Sequence, residues 1–66
     1  MVWKDLLEHA VKLGYSHEKF GLIQVLSKNR FRFVNNGTVM YDENEISNCR
    51  SADQMYQIML ALEMEY

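Results

Sequence analysis

The sequence predicts one small α+β domain over residues 1–66, with a helix at each end and antiparallel β-structure between them. Three observations lead to this fold class. Apolar residues recur at helical spacing near the amino end, a capping-box pattern opens a second amphipathic segment near the carboxyl end, and two aromatic and β-branched runs flank an Asn-Asn-Gly turn signal. We therefore expect the order helix, β-hairpin or three-stranded meander, helix, with the last helix packed on the sheet.

The first helix is predicted by an apolar stripe near the amino end. Polar residues such as Lys4 and Glu8 separate its members, as on a helix with one buried face. Gly14 follows the stripe at once, where a left-handed C-terminal cap is expected. The stripe consists of Trp3, Leu6, Leu7, Ala10 and Leu13.

Residues 16–29 fit either a helix or a strand. As a helix, the segment has Ser16 as its N-cap and Asn29 beyond its last turn. As a strand, "GLIQVLS" is a short apolar run with β-branched residues, joined to the hairpin by "KN". Gly21 would cost a helix interior about 1 kcal/mol but is acceptable at the start of a strand. The sequence therefore favours the strand, and with it the three-stranded meander.

The hairpin "RFRFVNNGTVMYD" has two competing registers. A two-residue Asn36-Gly37 loop places Phe33 opposite Met40, whereas a three-residue loop over 35–37 places Phe33 opposite Val39. A slip of one residue moves every side chain to the opposite face, so the cleaner segregation of apolar residues favours the three-residue loop. One face then holds Phe31, Phe33, Val39 and Tyr41, and the other holds Arg30, Arg32, Thr38, Met40 and Asp42, with Val34 as its one poorly placed apolar residue.

The last helix begins at "SADQ", in which Ser51 and Gln54 are expected to form a capping box. Two apolar stripes follow it. We expect the first stripe to pack on the Phe31 and Phe33 face of the sheet, with Trp3, Leu6 and Leu7 closing the core. The first stripe is Met55, Ile58, Met59, Leu62 and Tyr66, and the second is Tyr56, Leu60 and Met64.

Composition restricts the compartment and the class of function. The net charge is −2, which argues against a general polyanion binder. The amino terminus lacks the pattern of a signal peptide, no run approaches the roughly 20 apolar residues of a membrane span, and one cysteine cannot close an internal disulfide. These features predict a cytoplasmic protein without membrane contact. A domain of this size buries only about 60% of its unfolded surface, so a partner or self-association would help its stability.

The sequence offers little for catalysis or for metal binding. Cys49 lies just before a helix N-terminus, which can lower a thiol pKa, but the pattern places neither His9 nor His17 beside it as a base. These soft ligands do not have the spacing of a zinc site, and "DENEISNCRSAD" lacks the glycine of a calcium loop. We expect no enzymatic activity and no cofactor.

The second stripe of the last helix indicates a protein-binding surface. Its aromatic, leucine and methionine side chains are types that adapt to or are enriched in interface cores. Tyr56, Leu60 and Met64, together with Arg30 and Arg32 on the charged side of the sheet, are therefore the predicted contacts to a protein partner or to a second copy of the chain. The expected function is that of a small intracellular binding or regulatory protein. Free-standing chains of this size are often phage or mobile-element regulators, and that origin is an expectation from size alone.

Nucleic-acid binding is the alternative. The segment "HAVKLGYSHEKFGLI" resembles a helix-turn-helix, with Ala10, Gly14, Phe20 and Ile23 at the positions of its small residue, turn glycine and buried apolar residues. If residues 16–28 are helical, the hairpin resembles the wing of a winged helix, and the fold is a small winged-helix-like ααββα arrangement.

The order helix, three strands, helix is instead similar to that of the double-stranded-RNA-binding domain. That family carries a lysine cluster at the start of its last helix, where this chain has "SADQMYQ". A third, local signal is the basic–aromatic patch "KNRFR", and for the nucleic-acid alternative the expected phosphate contacts are Lys28, Arg30 and Arg32. The favoured register sets Arg30 opposite Asp42, which reduces the positive potential available to phosphate.

Overall fold

The structure, a computed structural model, describes residues 1–65 and the side chains as far as Met64. It confirms an α+β fold with a helix at each end, but the sheet between them has five strands rather than the expected three. The strands form one antiparallel meander in the order β1-β2-β3-β4-β5. The elements are α1 (Trp3–Lys12), β1 (Ser16–Phe20), β2 (Ile23–Lys28), β3 (Phe31–Val34), β4 (Thr38–Tyr41), β5 (Asn44–Asn48) and α2 (Ala52–Glu65).

The ambiguous segment 16–28 forms two strands, so its helical reading and the winged-helix-like ααββα alternative are wrong. Phe20 pairs with Ile23, which leaves Gly21 and Leu22 as a two-residue hairpin loop. Gly21 adopts a φ of +64°, the left-handed conformation that such a tight loop requires at its first position. The glycine therefore separates two strands, where the sequence reading had placed it at the start of one.

The predicted register of the central hairpin is confirmed. Phe33 pairs with Val39 and Phe31 with Tyr41, as the three-residue loop requires. The Gly37 N–H donates to the Val34 carbonyl at 2.9 Å, and Gly37 has a φ of +102°. This loop directs both phenylalanines toward the core.

The fifth strand was not expected, because "NEISN" has no apolar alternation. It pairs with β4 through a two-residue loop at Asp42 and Glu43, with a register shift between Val39 and Met40. Its carboxyl end is held by the Cys49 N–H, which donates to the Gly37 carbonyl at 2.6 Å.

The C-terminal cap of α1 and the N-terminal cap of α2 are formed by hydrogen bonds between residues close in sequence. Helix α1 ends in a Schellman motif, in which the N–H groups of Gly14 and Tyr15 donate to the carbonyls of Val11 and Ala10 at 3.1 and 2.9 Å. At the start of α2 the Ser51 hydroxyl accepts from the Gln54 N–H at 3.4 Å, as predicted.

The return contact of the α2 cap differs from the predicted capping box. The Gln54 side chain accepts from the Arg50 N–H at 2.6 Å, one residue before the expected Ser51. Both contacts still supply partners for backbone N–H groups at the start of the helix.

The core lies between the sheet and the two helices, which share one face of the sheet. Leu6, Phe33, Val39, Met55 and Met59 are buried there, as expected, and Trp3, Leu7, Phe31, Ile58 and Leu62 are partly buried against them. Tyr41 is more exposed than predicted, at 36%, because it lies toward the end of the sheet. Tyr66 of the first stripe lies outside the described residues. The remaining buried residues are Ala10, Tyr15, Leu26 and Cys49. No helix in the described part of the chain is long and apolar enough to span a membrane.

Candidate functional site

The side of the sheet opposite the helices carries a second set of apolar residues. Alternation along each strand points Leu26 and Phe33 into the core and their sequence neighbours to the opposite side. Cross-strand pairing makes this set continuous, since Phe20 pairs with Ile23 and Val25 pairs with Val34. We call this surface the outer sheet face, made of Glu18, Phe20, Ile23, Val25, Ser27, Arg32, Val34 and Met40.

A shallow groove of about 390 Å³ runs across the outer sheet face. Its lining comes from strands β1 to β4, and no described helix residue contributes to it. Phe20 and Ile23 are 61% and 53% exposed, while Val25, Val34 and Met40 are half-buried by their strand neighbours. The centre of the groove is thus apolar, formed by Phe20, Val25, Val34 and Met40, and within the described residues no other element of the chain covers it.

Two opposite charges lie at the margins of this groove. Glu18 lies beside Val25 on the edge strand β1, and Arg32 lies on β3 between Ser27 and Met40. In the part of the chain that the structure describes, neither side chain forms an ion pair. The groove therefore combines an apolar centre with one acid and one base that form no ion pair, and Glu45, which pairs with Met40, lies beyond the groove on the same side of the sheet.

Arg30 and Arg32, predicted as partner or phosphate contacts, also line an open cleft of about 540 Å³ at the turn end of the sheet. Arg30 lies opposite Asp42 as the register predicts, and its Nε lies 3.8 Å from the Asp42 carboxylate. Asp42 and Glu43 line the same cleft, so positive and negative charges share it. The predicted basic patch is partly neutralised at Arg30.

Lys28, the third predicted phosphate contact, is engaged inside the fold. Its ammonium donates to the Leu13 carbonyl and to the Glu63 carboxylate, each at 2.7 Å. It also lies 5.5 Å from the centre of the Tyr15 ring. Lys28 thereby links the end of α1 to α2, and its charge has an internal partner.

The second stripe of α2 is only partly turned outward. Tyr56 is half-buried, and its ring lies 5.0 Å from the His9 ring of α1. Leu60 is half-buried, whereas Met64 is 88% exposed. Tyr56 thus lies in the contact between the two helices, whereas Met64 is accessible to solvent.

A polar network that the sequence did not predict joins α1 to the sheet. The Gln24 side-chain oxygen lies 3.0 Å from both Trp3 Nε1 and His17 Nε2. Because an indole N–H can only donate, the shared atom must be the amide oxygen, and His17 Nε2 must donate as well. This network holds the Gln24 side chain on the core side of β2, where it is half-buried.

The buried groups nearest to possible chemistry are Tyr15 and Cys49. Burial, followed by the nearby charge of Glu63, raises the pKa of Tyr15 to about 12. Cys49 is 5% exposed, and its sulfur lies 3.9 Å from the Ser47 hydroxyl. Both side chains belong to the core and do not line the outer sheet face.

The outer sheet face was not predicted, because the polar segment of β1 was not expected to form a strand. The usable signal was the alternation of Ile23 and Val25 with Gln24 and Leu26, which shows apolar residues on both sides of β2. A surface of this kind is suited to binding another surface. Comparison with protein-family models, with curated proteins and with solved structures finds no match to this chain.

Proposed function

We propose that this chain is a small, non-enzymatic cytoplasmic binding protein that acts through protein–protein contact at its outer sheet face. The observation that carries the proposal is the open apolar groove between β1 and β4. Contiguous exposed apolar patches on small domains are typical of interaction surfaces, whereas single exposed apolar residues are not. The one cysteine is buried and unpaired, which is compatible with a reducing compartment.

Protein is favoured over nucleic acid as the partner because of how the cations are used. Lys28 is held by Leu13 and Glu63, and Arg30 lies beside Asp42. Phosphate binding depends on free Lys and Arg side chains, and the chain carries a net charge of −2. An apolar groove with few charges instead fits the centre of a protein interface.

The stripe of Tyr56, Leu60 and Met64 is a second candidate surface for the same function. Its accessible part is the Met64 end, since Tyr56 contacts His9. Arg30 and Arg32 would act as polar contacts at the margin of the outer sheet face.

The test is affinity capture from the native host with variants that separate the two surfaces. Ile23→Lys places a charge on the outer sheet face, and Leu22→Lys places the same charge one residue away at the hairpin tip. Leu22 is 94% exposed and lies in the hairpin loop, whereas Ile23 pairs with Phe20 on the outer sheet face, so Leu22 is a matched control. Leu60→Glu tests the α2 stripe.

We expect a specific partner to be retained by Leu22→Lys and lost by Ile23→Lys, with the far-UV circular dichroism spectrum unchanged in both variants. If only Leu60→Glu loses the partner, the binding surface is on α2. Capture of labelled RNA or DNA that weakens with salt and in Arg32→Ala would replace the proposal with the nucleic-acid alternative.

A further inference from the structure

We propose that the occupant of the outer sheet face is a second copy of this chain, docked face to face about a twofold axis. This inference rests on the proposed function and specifies its partner. It follows from the arrangement of charges around the groove.

Glu18 and Arg32 lie on opposite sides of the apolar centre. They occupy β1 and β3, with β2 between them, so they are separated by two strand spacings of about 4.8 Å each. Neither forms an ion pair within the described residues, and both line the groove. Within the groove, each copy therefore presents one acid and one base without an ion pair beside the same apolar strip.

A twofold interface uses the same patch on both copies, so each contact occurs twice. An axis lying in the plane of the interface, between Glu18 and Arg32, would place Glu18 of each copy against Arg32 of the other. Val25 and Val34, which are neighbours across β2 and β3, would then meet their counterparts in the centre. A second copy thus supplies both missing charges and the missing apolar cover.

The size of the sheet limits the strength of this dimer. Strands of about five residues at spacings of about 4.8 Å span a face of roughly 24 by 17 Å when five are joined. That projected area is about 410 Å² on each copy, roughly half of the 800 Å² per partner of a standard interface and in the range of weak, transient contacts. We therefore expect a dissociation constant in the micromolar range or weaker.

The experiment is sedimentation equilibrium of the full chain from about 1 μM to about 1 mM, a range that covers weak association. Four proteins are compared: the wild type, Glu18→Arg, Arg32→Glu and the double charge swap. Both positions are exposed, so the variants should fold, and urea unfolding of each variant checks this.

We expect the wild type to approach twice its monomer mass, and each single reversal to weaken the dimer about tenfold or more, because it makes both cross-copy pairs repulsive. The double swap should restore association, since both pairs become attractive again. A wild type that is monomeric throughout, or a dimer insensitive to the single reversals or not restored by the swap, would overturn the inference. If the monomeric wild type still captures a different protein that Ile23→Lys loses, self-association fails while the proposed function stands. If the wild type is monomeric and captures no protein that Ile23→Lys loses, both the self-association and the proposed function are wrong.

Discussion

Replacing Gly37 with alanine should destabilise this protein more than the same change at Gly14 or Gly21. Gly37 has a φ of +102°, and a Cβ built there would overlap the backbone carbonyl of Cys49. The same two residues are joined by the hydrogen bond from the Cys49 N–H to the Gly37 carbonyl. The added methyl group therefore forces the end of β5 away from the β3–β4 loop.

Gly21→Ala is the matched control for the free energy of unfolding that Gly37→Ala loses. Gly21 also has a positive φ, of +64°, but its Cβ would meet no atom within 4 Å. Both variants share the cost of a left-handed alanine, about 1–2 kcal/mol, and the same loss of unfolded-state entropy. Gly37→Ala adds about 1–3 kcal/mol of overpacking and about 1 kcal/mol for the lost hydrogen bond.

We therefore expect Gly37→Ala to be less stable than Gly21→Ala by about 2–4 kcal/mol. A chain of this size is stable by only about 3–10 kcal/mol, so Gly37→Ala should be close to unfolding at room temperature. The assay is urea and thermal unfolding followed by circular dichroism. The difference in midpoint between the two variants should be roughly 10–30 °C. Midpoints that agree within about 3 °C, or less than 1 kcal/mol, would refute the close approach of Gly37 to Cys49.

Three further changes test the core and the helix surface. Burial keeps the Tyr15 phenol neutral with a pKa of about 12 in the folded chain, so its stabilisation is complete below pH 10 and is lost as the pH rises to 12. The wild type should lose about 2–3 kcal/mol more than Tyr15→Phe across that range, measured by urea unfolding at each pH. Gln24→Met leaves the Trp3 indole N–H without its acceptor and should cost about 1 kcal/mol, with a change in Trp3 fluorescence. Met64→Glu alters a side chain that is 88% exposed and should change the free energy of unfolding by less than about 0.5 kcal/mol.

The opposite results would be equally informative. An identical pH dependence in the wild type and Tyr15→Phe would show that the phenol is not held neutral by burial. A stability of Gln24→Met equal to that of the wild type would mean that solvent satisfies the indole N–H. A large loss of stability in Met64→Glu would place that side chain inside the packing of α2.

Local chemistry determined the parts of this fold that the sequence predicted. The apolar stripe from Trp3 with Gly14 behind it specified α1, because the Schellman cap is formed by adjacent residues. The register of β3 and β4 followed from the turn at Gly37 and from the alternation that buries Phe33. In each case the signal and the structure lie within the same short segment.

Edge strands carry no such signal. β1 and β5 form the two edges of the sheet, and their sequences "SHEKF" and "NEISN" are mostly polar because an edge strand buries little side-chain area. They are strands because the neighbouring strand offers unpaired backbone groups. This pairing depends on the neighbouring strand, so the local sequence of β1 or β5 does not predict it.

The outer sheet face and the role of Lys28 were likewise decided by tertiary structure. Lys28 reaches Leu13 and Glu63, which are far from it in sequence, so its charge could not be assigned to an internal partner beforehand. The exposed pair of Phe20 and Ile23 became a surface only once β1 joined the sheet. The sequence by itself determined which residues form the helices and the central hairpin, whereas long-range packing decided which residues were left outside to meet a partner.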